Sequence, residues 1–175
     1  MSAASAGGVL YLIDGRPIIV GSRGGAAGPN AALYAADGER TVGGEWRRID
    51  LPVPTQAPGL RHATAVACTA ATCWVAGWAK NPIVWEVSLR DGVVGPTTAF
   101  TGDVAGADDP SALLTIVDGR PLVVTNAATP SAEVLCADGW SSVPSPAQAT
   151  AIAALGSDAY VVTGDRLWRA TVPAC

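Results

Sequence analysis

The sequence predicts an all-β chain, built as about four short antiparallel units in a repeat array. Three observations carry that expectation. A hairpin occurs twice, as Leu12-Ile13-Asp14-Gly15-Arg16-Pro17-Ile18-Ile19-Val20 and as Ile116-Val117-Asp118-Gly119-Arg120-Pro121-Leu122-Val123-Val124. Runs of Val, Ile, Leu and Ala end at Gly- or Asp-bearing turns along the chain, and no segment keeps a helical period long enough for an amphipathic helix. The first two strands of each unit are apolar at consecutive positions, which implies burial of both faces rather than one wet face.

The units run in order from the N-terminus. The first, about residues 9–60, opens with the hairpin at Asp14-Gly15. Asp and Gly tolerate the positive φ that a two-residue turn needs. A third strand follows at Ala31 to Ala35 and a weaker fourth at Trp46 to Asp50. The second unit, about 61–110, carries Ala63-Thr64-Ala65-Val66-Ala67-Cys68, a short turn, then Cys73-Trp74-Val75-Ala76-Gly77 and a third strand at Ile83 to Val87. The third, about 111–149, holds the second copy of the hairpin, a strand at Glu133 to Cys136 and a weaker one at Trp140 to Val143. Its Val134-Leu135-Cys136-Ala137-Asp138-Gly139 matches Leu33-Tyr34-Ala35-Ala36-Asp37-Gly38 of the first unit, in the same order after the hairpin. The fourth, about 150–175, reads as Ala151 to Leu155, a Gly156-Ser157-Asp158 turn, Tyr160 to Gly164 and Leu167 to Ala170. Pro52, Pro54, Pro58, Pro110, Pro144 and Pro146 gather between units. Residues 1–8 are expected to be a disordered lead, and 9–175 a single domain.

Units of roughly 40 to 50 residues have the period of propeller blades, whose inner strands are sandwiched between neighbouring blades. A β-propeller-like array of about four blades is therefore the expected architecture. A β-sandwich is the alternative, and a βαβ fold is disfavoured.

Composition agrees with a buried-sheet protein. The chain has 175 residues, 49% apolar and 15% charged, which suits one ordered domain. A net charge of −4 gives no basic footprint for nucleic acid. The longest apolar runs, such as Leu122-Val123-Val124, fall far short of the ~20 residues a membrane helix needs. Met1 to Gly8 has neither a basic n-region nor an apolar h-region, so it does not read as a signal peptide.

The cysteines look structural. If residues 69–72 connect two strands, Cys68 and Cys73 face each other across the hairpin, within disulfide reach. A redox pair, a metal pair or two free thiols are the alternatives. A metal would need further ligands, and His62 is the only histidine. Cys136 ends a strand and Cys175 ends the chain; a bridge between them would pin the C-terminus to the third unit. Two bridges imply an oxidising compartment. Without a signal peptide, that reads as the tail of a longer secreted or anchored protein. The alternative is a cytoplasmic protein with reduced thiols.

The stretch Val66-Ala67-Cys68-Thr69-Ala70-Ala71-Thr72-Cys73-Trp74-Val75-Ala76-Gly77 resembles a blade of bacterial extracytoplasmic propellers of the Asp-box (neuraminidase-repeat) and photosystem-assembly-factor groups. In those, a Cys on each arm of the first hairpin precedes Trp, a small residue and Gly. Asp37-Gly38 with Trp46, and Asp138-Gly139-Trp140, look like worn forms of the Asp-Gly turn followed by Trp. The resemblance implies a fold and little about activity. Such propellers have about six to eight blades, so the resemblance implies a partial ring, or one completed by a second chain or by further blades.

No catalytic set emerges. Gly21 to Gly28 is glycine-rich but fits neither a dinucleotide nor a phosphate loop, and there is no Gly-x-Ser-x-Gly elbow. Asp103, Asp108 and Asp109 form an acidic loop without a calcium signature. No pair of carboxylates is singled out for glycoside hydrolysis. Tryptophans at repeat-equivalent positions, Trp46, Trp140 and Trp168, read as packing. Trp78 and Trp85, with Lys80 between them, are the candidate ligand-binding residues, since Trp beside a cation suits a carbohydrate or a peptide. Arg61 and His62, at a strand start in the same unit, are added to them. No cofactor or metal is expected. The expected function is a non-enzymatic, extracytoplasmic propeller module that binds a protein or another ligand. The alternatives are a divergent glycan-binding or glycoside-hydrolase-like propeller and a fragment without independent function. A homo-oligomer, or association with further blades, is the expected partner state.

Overall fold

The computed structural model describes residues 9–13, 16–23, 30–36, 46–52, 62–79, 81–99, 112–125, 131–146 and 148–175. The expected lead at 1–8, the turn at Asp14-Gly15 and the acidic loop at Asp103, Asp108 and Asp109 lie outside them. The described residues are all β, in four antiparallel sheets. Sheet one holds β1 (Val9–Ile13), β2 (Arg16–Arg23), β3 (Asn30–Ala36) and β4 (Trp46–Asp50). Sheet two holds β5 (His62–Cys68), β6 (Thr72–Ala79), β7 (Asn81–Ser88) and β8 (Val94–Ala99). Sheet three holds β9 (Ala112–Val117), β10 (Arg120–Thr125), β11 (Ser131–Cys136) and β12 (Gly139–Val143). Sheet four has only β13 (Ala151–Leu155), β14 (Asp158–Thr163) and β15 (Arg166–Thr171). Each sheet is a meander in which sequence neighbours pair. Four sheets stand where a sandwich would have two facing ones.

Turn chemistry explains the pairing. Asp118 and Gly119 have φ of 48° and 77°, the positive values required at both central residues of a type I′ turn. They set the register Val117↔Arg120. In sheet two, Cys68 and Cys73 are register partners, and Thr69 N–H donates to the Thr72 carbonyl at 2.8 Å. Their Cα atoms stand 4.0 Å apart, and a disulfide joins them. Strand β8 has no counterpart in the sequence reading. Its Gly95-Pro96 argues against a central strand, but β8 pairs only with β7, and an edge tolerates a proline.

The sheets stack through three cores, each between successive sheets. Between sheets one and two lie Ile18, Val20, Leu33, Ile49 and Leu51 against Val66, Val75, Ile83, Trp85 and Val87. Between two and three lie Ala65, Ala67, Ala76 and Val84 against Ala112, Leu114 and Val123. Between three and four lie Val117, Leu122, Val124, Val134 and Val143 against Ala159, Val161 and Val172. Alternation along a strand sends neighbours to different cores: Leu122 and Val124 go one way and Val123 the other. Sheets two and three are thus apolar on both faces because each faces two partners. First strands line up in chain order, with β1 beside β5, β5 beside β9 and β9 beside β13. Outer strands add polar ties, such as Arg47 donating to the Leu89 carbonyl.

The C-terminal tail returns onto sheet three. Val172 is buried in the last core, and its N–H donates to the Ser157 carbonyl at 2.9 Å. Arg120 Nη1 donates to the Pro173 carbonyl at 3.1 Å. Cys175 is disulfide-bonded to Cys136, with Cα atoms 5.5 Å apart.

Candidate functional site

Of the residues the sequence singles out, Arg61 and Lys80 lie outside the described residues. His62 and Trp78 are described in backbone only, as register partners across β5 and β6. Trp85 corrects the expectation of an aromatic surface. It is fully buried between sheets one and two, and its Nε1–H donates to the Pro52 carbonyl at 2.8 Å. A ring held there has no face left for a ligand, so Trp85 is a packing residue. Trp74 and Trp140 pack against the core between sheets two and three.

The exposed aromatic lies in a different sheet. Trp168, on β15, is 48% exposed. It stands directly across from Val161 on β14, and beside it the connector between β12 and β13 crosses as Pro144, Ser145 and Pro146. Together with Ala170 these residues line an open cleft of about 360 Å³. The walls are mostly apolar, with Ser145, Arg169 and Thr171 adding polar atoms, and the prolines fix the connector's backbone. Sequence reading placed Trp168 among the packing tryptophans. The overlooked signal is its setting, Arg166-Leu167-Trp168-Arg169, in which cations flank both apolar residues.

The opposite face of sheet four carries a polar group that is already satisfied. Asp158 accepts from Arg169 Nη2 at 2.5 Å and from Thr171 Oγ1 at 2.9 Å. The Arg169 bond first, and the Thr171 bond second, hold the Asp158 carboxyl below its ordinary pKa, and Arg169 is raised in turn. Asp91, in the β7–β8 turn, is also lowered, first by the Ser88 side chain and then by the Val93 N–H. Both carboxylates stay ionised to lower pH than usual, the reverse of what a general acid requires. Linkage fixes a sign here. A depressed folded pKa contributes stability above the unfolded pKa, and that stability is lost as pH falls through the folded pKa. The difference in urea midpoint between the native chain and Asp158→Asn is therefore expected at neutral pH and should vanish in acid. The pair is solvent-exposed, so the difference is small.

Among the described residues no cluster of three or more His, Cys, Asp or Glu could hold a metal. No helix there is long and apolar enough to cross a membrane. No protein-family model matches the chain, and no curated protein matches it.

Proposed function

We propose that this chain is a non-enzymatic binding module with propeller-type blades, working outside the cytoplasm, and that the Trp168 cleft is its contact with a protein ligand. The observation that carries this reading is the half-exposed Trp168 set over the fixed Pro144–Pro146 connector. A rigid aromatic beside an apolar wall suits an extended peptide, because the ring offers large contact area with little entropy to lose. The propeller reading draws support from the chain-order alignment of first strands and from sheets buried on both faces. Two disulfides fit an oxidising compartment. The resemblance of the Cys68–Gly77 hairpin to extracytoplasmic propeller blades points the same way.

A second reading, glycan binding, is favoured by the same flat Trp face. Peptide and glycan arrays probed with the oxidised chain test both. Loss of the captured signal on Trp168→Ala, by tenfold or more in affinity, is expected if the cleft is the site. Binding that survives this substitution unchanged rules the cleft out. Turnover of model glycosides, abolished by replacing one carboxylate, would overturn the non-enzymatic reading.

A further inference from the structure

We propose that the outer face of sheet four is an assembly surface for the outer face of sheet one of a second copy of this chain, joined head to tail. The proposal rests on the stacking of the sheets and is independent of the ligand reading.

Within the chain, the face of each sheet that looks toward the C-terminus is covered by the next sheet. In sheet three that face includes the row Leu113, Val124, Ala132 and Val143, register partners across all four strands and packed in the last core. The corresponding row in sheet four is Ala151, Val162 and Leu167. It is apolar like its counterpart, yet Leu167 is 68% exposed. Leu155 on the same face is 73% exposed, and Tyr160 is half-buried. Apolar side chains clustered on one open sheet face mark an interaction surface.

Among the described residues, the outer face of sheet one is the other sheet face on which no sheet packs. It presents Ile19 and Tyr34 as register partners, with Trp46 across from Ala36 and 37% exposed. Each face carries one ion pair closed within the chain, Arg169 with Asp158 on sheet four and Arg48 with Asp50 on sheet one, so the contact rests on the apolar residues. A second copy continues the interface that the chain already makes three times. Such a contact is heterologous, pairing unlike faces, and two or more copies close a ring or extend a stack.

Light scattering on the oxidised full chain, over a wide concentration range, tests this. The expected result is a mass above one chain that rises with concentration. Leu155→Arg with Leu167→Arg blocks one end, and Trp46→Arg blocks the other. Each variant alone is expected to run as a single chain with an unchanged far-ultraviolet spectrum. Mixed in equal amounts, the two are expected to form pairs and nothing larger, because one sound end of each remains. A native chain that stays monomeric throughout overturns the proposal. So does association that persists in the Trp46→Arg chain, which would mean that two sheet-four faces pair with each other. A mixture that forms no pairs also overturns it.

Discussion

Replacing Trp85 with alanine is expected to destabilise the chain by about 3–5 kcal/mol, the range for emptying a large aromatic site in a packed core. For a chain of this size that lowers Tm by roughly 6–20 °C. The ring fills the core between sheets one and two, on a strand flanked by Val75 of β6 and Thr97 of β8 in register. Its N–H also satisfies the Pro52 carbonyl, just past Leu51, which is itself buried in that core. Trp85→Phe separates the two contributions. It keeps most of the apolar volume but leaves that carbonyl without its donor, at about 1–3 kcal/mol. Because each core joins only successive sheets, the damage should stay local. Hydrogen exchange is expected to accelerate in β2–β4 and β6–β7 well before β10–β11. A loss under about 1 kcal/mol would mean that the site collapses to fill the cavity.

The contrast between Trp85 and Trp168 shows where sequence stops informing. The hairpins at Asp118-Gly119 and Cys68–Cys73 were legible because turn chemistry is local: two residues decide the φ values and the register follows. The third strands were legible for the same reason, as apolar runs bounded by turns. Which face of a strand meets another sheet is a different matter. Trp85 sits between Val84 and Glu86, and alternation places it opposite both without saying which side is inside. Sheet one, which covers Trp85, comes from the preceding unit of the chain. Trp168 has the same intrinsic preference for burial and shares the inner face with Val161, but β15 is the edge strand of its sheet, where the ring is only partly covered. Burial of a tryptophan here is set by where its strand lies in the sheet, with Trp85 on an inner strand and Trp168 on an edge. The same cause hid β8: Gly95-Pro96 is a poor strand by propensity, and only the β7 edge it pairs with makes it one.

Removing the Cys136–Cys175 bridge, by Cys136→Ser with Cys175→Ser, is expected to lower stability by about 4 kcal/mol, against about 2 kcal/mol for the Cys68–Cys73 bridge. The difference follows from loop length. The first bridge spans 39 residues and the second only 5, so the first removes far more freedom from the unfolded chain. The long bridge also holds down a tail that contributes Val172 to the last core and the Pro173 carbonyl to Arg120. The short bridge lies in sheet two and the long one joins the tail to sheet three, so their losses should add. Urea unfolding of both double variants and of the combined variant checks this. Full reduction is then worth about 6 kcal/mol, a large share of the 5–15 kcal/mol that holds a typical domain folded. A chain that loses that much in a reducing environment depends on oxidation for its native state. Urea titrations with and without reductant therefore bear on compartment as well as on stability. A midpoint unmoved by reductant would remove the physical reason to place this protein outside the cytoplasm.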